Sequence, residues 1–338
     1  MELPESEREE RPTELSNAET GDRKVKAGVL GIGYMGRNHA RILSDLPEAE
    51  LIGIFDSNEA RAAEVAGEYE IRAFAGADEL MDAVDAVVIA VPTDEHHTYT
   101  SRALSSGCDV LVEKPITDNL AQAAELCGIA RDKGLLLQVG HVERFNPVCL
   151  ELPRLVKDPI YFSCERLSHV VPGWQGKTGV VLDLMIHDLD LVLSLVQSPV
   201  MLVNSVCSNL SSKAGDLAIA QVQFEAGAIA NFVSSRVSQA KVRRISITQP
   251  EEVINIDLLR QTIAVHHLIS NDYFFDQRMG YKQETVTEIP YLSRHGEPLR
   301  FELESFIKAV ATRSTPVVTG EDGMKALALA LEIIEKCD

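Results

Sequence analysis

Val25-Lys26-Ala27-Gly28-Val29-Leu30-Gly31-Ile32-Gly33-Tyr34-Met35-Gly36 decides the fold, because an apolar run feeds a three-glycine turn and an amphipathic helical pattern leaves it. Strand, glycine-rich turn and helix are the parts of a dinucleotide-binding crossover. The glycines serve separate purposes, in that Gly31 makes the tight turn, Gly33 lets backbone amides approach a pyrophosphate, and Gly36 lets the helix pack closely on its strand. Tyr34 and Met35 occupy the start of that helix, where unpaired amides and the helix dipole favour an anion. Twenty residues beyond Gly36, the next apolar strand, Leu51 to Phe55, ends at Asp56. A carboxylate there accepts from the adenosine ribose hydroxyls and repels a 2′-phosphate, so the pattern predicts NAD over NADP. The alternative is that Asp56 caps the helix beginning near Asn58.

The rest of the composition sets limits. At 338 residues, with 45% hydrophobic content, the chain can bury a large core and form two domains. A formal net charge of -19 argues against nucleic acid or an anionic membrane surface as partner. The long apolar segment from Val180 to Val196 is interrupted by Asp183, His187, Asp188 and Asp190, so no membrane span is expected. Residues 1–24 are Glu-rich without an apolar stretch and read as a disordered acidic tail rather than a signal peptide. The six cysteines form no CxxC pair and no zinc-like spacing, which predicts reduced, packed thiols in a cytoplasmic protein.

From residue 25 to about 145, apolar strands at Val25 to Leu30, Leu51 to Phe55, Ala86 to Val91, Val110 to Val112 and Leu135 to Val139 alternate with helical patterns. The rhythm predicts a doubly wound parallel sheet, a Rossmann domain spanning 25–145. Beyond it, Ile160 to Leu167, Met201 to Ser208, Leu217 to Phe224, Ala228 to Ser235 and Arg244 to Thr248 read as strands without intervening helices. A mainly antiparallel sheet in a second α/β domain, 146–338, is expected, with a hairpin turn at Glu225-Ala226-Gly227 and closing helices near Pro298 to Thr312 and Glu321 to Lys336.

Two places could carry chemistry. Lys114 follows the strand Val110-Leu111-Val112, and ligands of a parallel sheet sit beyond the carboxyl ends of its strands. There an ammonium can steady the oxyanion that develops as hydride leaves a secondary alcohol; the alternative is an exposed lysine paired with Glu113. Asp183 and His187 are four apart in a helical pattern, so a carboxylate can orient an imidazole and support its positive form. A surface ion pair or a metal site is the competing account, with no matched third ligand for a metal.

The chain resembles the Gfo/Idh/MocA oxidoreductases over about residues 25 to 338. The likeness rests on the GIGYMG turn, Ala90-Val91-Pro92-Thr93 with His96 following, Glu113-Lys114-Pro115, and the Asp183/His187 segment, in that order. It implies that Lys114 is the catalytic lysine, His187 the proton-transferring residue and Asp183 its partner. Val91, Pro92, Thr93, His96 and Glu113 become cofactor-side contacts. Within the family, Gln138 to Pro147, Val180 to Asp190, and Ser235-Arg236-Val237-Ser238 with Lys241 to Arg244 resemble nucleotide-sugar dehydrogenases. That likeness points to Arg144, Asn146, Arg166 and Arg236 on the substrate side, to C3 oxidation of a UDP-N-acetylamino sugar, and to a homodimer or homotetramer. Pro172-Gly173-Trp174-Gln175-Gly176 does not identify the sugar. The rival expectations are a free-hexose or inositol dehydrogenase using the same residues, and an NAD-binding sensor without turnover.

Overall fold

The structure is a computed structural model that describes residues 23–169, 178–210, 215–275 and 278–337, with backbone alone within 270–283. The acidic tail up to residue 22 and the Trp174 loop lie outside the described residues.

Short apolar runs separated by helices form the first domain: β1 (Val25–Leu30), α1 (Tyr34–Asp45), β2 (Ala49–Phe55), α2 (Glu59–Glu68), β3 (Arg72–Ala73), α3 (Ala77–Met81), β4 (Ala86–Ile89), α4 (Thr93–Ser106), β5 (Asp109–Glu113), α5 (Leu120–Lys133) and β6 (Leu137–Gly140). Helices cover both faces, so β4, β5 and β6 are buried at every residue. All pairings are parallel, in the order β3-β2-β1-β4-β5-β6. The order reverses between β1 and β4, which opens a crevice at their carboxyl ends.

A 3-10 turn (Val142–Phe145) and α6 (Pro147–Leu155) lead to β7 (Tyr161–Leu167), and a π-helical turn (Val181–Met185) runs into α7 (Ile186–Val196). There follow β8 (Val200–Ser208), β9 (Leu217–Phe224), β10 (Ile229–Ser235), β11 (Val242–Gln249), β12 (Glu252–Asp257), β13 (Thr262–Phe275), β14 (Arg278–Glu288), α8 (Pro298–Thr312) and α9 (Gly320–Glu335). The second sheet runs β14-β13-β12-β11-β7-β10-β9-β8 and is antiparallel except between β7 and β10. Gly227 turns the β9–β10 hairpin at φ 94°, where a side chain would be strained. Inward residues of this sheet, Phe162, Phe224 and Phe232, meet Met185, Leu189, Ala330 and Ile333 from the helices. β12 to β14 were not expected, although Ile254 and Ile256 of β12 and Ile263 and Val265 of β13 are buried in the core; β14 forms the sheet edge.

α8 packs on the core of the first domain: Leu303, Phe306 and Ile307 pack with Val29 and Leu43, and Arg300 reaches Asp45 at 2.6 Å. An apolar helical stripe does not state which core it joins. The cysteines are not all reduced thiols: Cys207 on β8 and Cys337 beyond α9 form a disulfide, with Cα atoms 5.2 Å apart across 130 residues, while Cys108, Cys127, Cys149 and Cys164 are free and buried. Packing of α9 on β8 brings the pair together, which no sequence spacing reveals. Lastly, the Asp183/His187 segment is not one regular helix, since residues 181–185 form the wider π turn. Among the described residues no helix is long and apolar enough to cross a membrane.

Candidate active site

The glycine turn is built as its spacing demands. Gly31 stands at φ 89°, and a Cβ there would lie 2.7 Å from the Ala90 carbonyl oxygen; a Cβ on Gly36 would lie 1.7 Å from the Gly31 oxygen. Gly33 differs, because a Cβ there meets nothing within 4 Å and would project into the crevice. That cleft, about 1030 Å³, is walled by Gly31, Gly33, Asp56, Val91, Pro92 and Thr93 on one side and by Gly179 and Leu182 on the other. A cradle free of side chains at the start of α1 fits the pyrophosphate of a dinucleotide. Tyr34, 87% exposed, and half-buried Met35 flank it.

Asp56 combines both readings of its position. Its Oδ2 accepts from the Ile32 amide at 2.6 Å, and its Oδ1 from the Asn58 amide at 2.7 Å and the Arg61 guanidinium at 2.8 Å. Burial works to raise this carboxyl, yet Arg61 and the two amides outweigh it and hold Asp56 below the usual range. The anion therefore faces the ribose end of the cleft with Arg61 beside it, which offsets part of its repulsion of a phosphate. Asn58, not Asp56, is the N-cap of α2.

Glu113 and His96 brace the cleft from behind. Glu113 accepts from His39 Nε2 at 2.8 Å in the interior, so it orders α1 against β5. His96 sits between the Pro115 oxygen (2.8 Å) and the Val91 oxygen (3.0 Å) and is 1% exposed. Both were expected as cofactor contacts, but each side chain is committed to the two segments it joins.

Lys114, just past the end of β5 and joined to Pro115 by a cis peptide, reaches from the first domain toward the π turn of the second. Its Nζ donates to the Asp183 backbone oxygen at 2.8 Å and to Asp183 Oδ1 at 3.3 Å. Arg236 donates to Asp183 Oδ2 at 3.0 Å and to the Thr178 oxygen at 3.0 Å. The Asp183 carboxylate is thus divided between two cations and does not orient His187, contrary to the i,i+4 expectation. His187 is 9% exposed; its Nδ1 is buried with no partner among the described residues, leaving Nε2 as the accessible nitrogen. Burial first, then the Lys114 and Arg166 charges, push its pKa well below the usual histidine value. The imidazole is neutral, able to accept a proton, rather than held in its positive form.

The expected substrate residues separate. Arg236 stays with Lys114 and His187. Arg166 is 1% exposed, its guanidinium gripped by both Asp188 oxygens (2.9 and 2.7 Å) and by Glu143 (2.9 Å). Asn146 is 2% exposed, caps α6 and donates to the Leu258 oxygen at 3.1 Å. Arg144 bonds the Val317 oxygen at 3.3 Å beside Asp190 and lines a different cavity, about 790 Å³, against α7 and α9. Arg243 pairs with Glu143 at 3.0 Å and Arg244 with Asp257 at 3.6 Å. A buried guanidinium requires carboxylates around it, and the acidic composition provides them. Two site residues were overlooked: Arg61, one helical turn past Asp56, and His141, at the end of β6. The strand-end rule that singled out Lys114 also applies to His141. Among the described residues no cluster of His, Cys, Asp and Glu could hold a metal ion.

With this geometry in view, comparison with known proteins decides the family. Residues 25–141 match the model of an oxidoreductase family with an NAD-binding Rossmann fold, and residues 170–338 match that family's C-terminal alpha/beta domain. The chain belongs to the Gfo/Idh/MocA oxidoreductase family. As a Gfo/Idh/MocA protein it is an NAD-dependent oxidoreductase acting on CH-OH groups. It is 33% identical over 310 residues to UDP-N-acetylglucosamine 3-dehydrogenase of Acidithiobacillus ferrooxidans, covering 91% of this chain and 96% of the relative. A solved structure of that enzyme superimposes with a TM-score of 0.84 at 32% identity, covering 93% of this chain and 98% of the other. The scyllo-inositol 2-dehydrogenase (NAD(+)) of Bacillus subtilis is 27% identical over 322 residues, 89% of this chain and 90% of the relative.

Proposed function

We propose that this oxidoreductase removes hydride from a secondary ring hydroxyl, at C3 of a UDP-linked N-acetylamino sugar. The observation that carries the chemistry is that Lys114 Nζ, next in sequence to the cleft residue Pro115, is bound to Asp183, next to the cleft residue Leu182, while its charge acts on the buried, neutral His187. NAD, when bound against Gly31, Gly33 and Asp56, supplies the hydride acceptor. The accessible His187 Nε2 takes the hydroxyl proton. An imidazole this hard to protonate is a weak base, and the Lys114 ammonium compensates by stabilising the developing alkoxide and so acidifying the hydroxyl. Asp183 holds that ammonium in place, and Arg236 holds Asp183.

The choice of a UDP-sugar rests on the extent of the likeness to UDP-N-acetylglucosamine 3-dehydrogenase. A specific observation favours an inositol or free hexose instead. Arg144, Arg166, Arg243 and Arg244 are spent on carboxylates of the protein itself, in a chain of net charge -19. The deciding assay is NADH formation with UDP-N-acetylglucosamine, its uronic acid, free N-acetylglucosamine and inositols, repeated with a 2-oxo acid acceptor in case reduced cofactor is retained. UDP-linked sugars should give the higher kcat/KM. Equal values for free and linked sugars would select the polyol reading, and no turnover with any of them a sensor. The assembly belongs to the same reading: Ile219, Ile229, Leu268 and Val286 stand exposed on strands of the second sheet, and a homodimer or homotetramer would cover them.

A further inference from the structure

The cavity of about 790 Å³ between α7 and α9 takes no part in the proposed reaction. It has no lining residue in common with the dinucleotide crevice. Each helix turns one face to it: Asp190, Leu193 and Gln197 recur at helical spacing from α7, and Asp322, Lys325 and Leu329 from α9. Arg144 closes it from the 3-10 turn that follows β6. The volume is that of a small-molecule site.

Arg144 is held more loosely than the other arginines of the interior. Arg166, Arg236 and Arg243 each grip a carboxylate at 3.0 Å or closer. Arg144, its side chain 16% exposed, stands 3.5 Å from Asp190 and 3.3 Å from the Val317 oxygen, both past the long end of the usual N–H···O range. Asp190 is also a poor counter-charge. It is 2% exposed, and its Oδ2 has no partner among the described residues. Burial pushes this carboxyl up to about 7, with Arg144 opposing and Asp322 adding to the rise. Much of the Arg144 charge is therefore uncompensated at neutral pH, at the wall of a cavity, and a guanidinium fork suits a carboxylate in two parallel bonds.

The remaining lining limits which anion fits. Lys325 is the second cation and lies 3.8 Å from Asp322, while Asp322 and Glu332 place two carboxylates on the same wall. They repel a doubly charged anion more than a singly charged one. Leu193, Val200 and Leu329 add apolar surface that an inorganic ion would leave uncovered. We infer that this cavity is a second ligand site, for a monocarboxylate with a small apolar body whose carboxylate is held by Arg144. The inference depends neither on the sugar proposed as substrate nor on His187 as the base.

The test is calorimetric titration of the NAD-saturated protein with acetate, isovalerate, hexanoate and benzoate, and with inorganic phosphate and the uncharged isovaleramide for comparison. Isovalerate should bind with a Kd of about 1 mM or tighter, which is within reach of a ligand of that size. It should bind better than acetate, and about tenfold better than phosphate or isovaleramide, since a charge-assisted bond is lost in the amide. Arg144→Gln should weaken isovalerate by about tenfold to a hundredfold. Ala328→Phe fills the cavity from α9, where Ala328 is half-buried, and should abolish binding; it also serves if Arg144→Gln does not fold. Lys114→Ala should leave the affinity within about threefold, because that lysine belongs to a separate site. Binding that survives both cavity variants, or that is lost in folded Lys114→Ala, puts the acid elsewhere and overturns the inference. Phosphate bound as tightly as isovalerate, or no saturable binding of any of the four acids, overturns it equally.

Discussion

Replacing Lys114 with alanine should produce two effects of independent origin. Lys114 Nζ lies 2.8 Å from the Asp183 backbone oxygen, beside the mouth of the crevice, where it can donate to a developing alkoxide. Removing one such donor raises the barrier by about 3–4 kcal/mol, or about two to three orders of magnitude in kcat. The fold should barely respond: Asp183 is 41% exposed on its side chain and keeps Arg236 at 3.0 Å, so the lost ion pair is worth less than about 1 kcal/mol. The second effect is on pH. Burial is the largest cause of the low His187 pKa and Lys114 the next, so deleting that positive charge favours the protonated ring. The His187 pKa therefore rises toward its ordinary value, and the acid limb of kcat/KM moves to higher pH. Lys114→Arg keeps the charge while displacing the donor; it should lose rate yet leave the limb where it is. The measurement is kcat/KM against pH for the three proteins, with melting curves and NAD titration as controls. A folded Lys114→Ala protein within tenfold of wild type, or an acid limb that stays put or moves down, would refute the argument.

Three further outcomes follow from the same geometry. Asp56→Ala removes the ribose acceptor and frees Arg61, now paired at 2.8 Å; calorimetric titration should show NAD weakened by about tenfold and the preference over NADP gone. Gly33→Val should abolish NAD binding with little change in melting temperature, since a Cβ there meets no protein atom within 4 Å, whereas Gly36→Ala should damage folding through the 1.7 Å approach to the Gly31 oxygen. Arg166→Met leaves Asp188 without a cation in the interior; at about 3–5 kcal/mol, spread over 338 residues, melting should fall by roughly 4–7 °C, and an unchanged melting point would show that the buried network is not needed for stability.

How far the sequence could be read followed the range of the forces involved. The Rossmann half was legible because its signals are local: Gly31, Gly33 and Gly36 mark a turn whose geometry excludes side chains, and the apolar runs β1, β2, β4, β5 and β6 stand at the predicted positions within a few residues. The second sheet was read through β11 and missed from β12 onward, although Ile254 and Ile256 of β12 and Ile263 and Val265 of β13 alternate into the core, because these alternations are only two residues deep. The return of α8 to the first core, and the meeting of Cys207 with Cys337, depend on three-dimensional adjacency that no periodicity encodes.

The site shows the same division, and it explains why the residue types were easier to find than their partners. A residue's place at a strand end is a local property, so Lys114 could be read from the run before it, and His141 by the same rule. Which carboxylate neutralises which cation is settled by burial. Asp183 looked like the partner of His187 because four residues separate them, yet Lys114 and Arg236 arrive from β5 and from the end of β10, and two charge-assisted bonds outcompete a bond to a neutral imidazole. No carboxylate stands against His187 Nδ1 among the described residues to raise the pKa that burial and Lys114 keep low. The base thus stays deprotonated over a wide range of pH, and its weakness as a base is offset at the substrate by the Lys114 ammonium rather than at the imidazole.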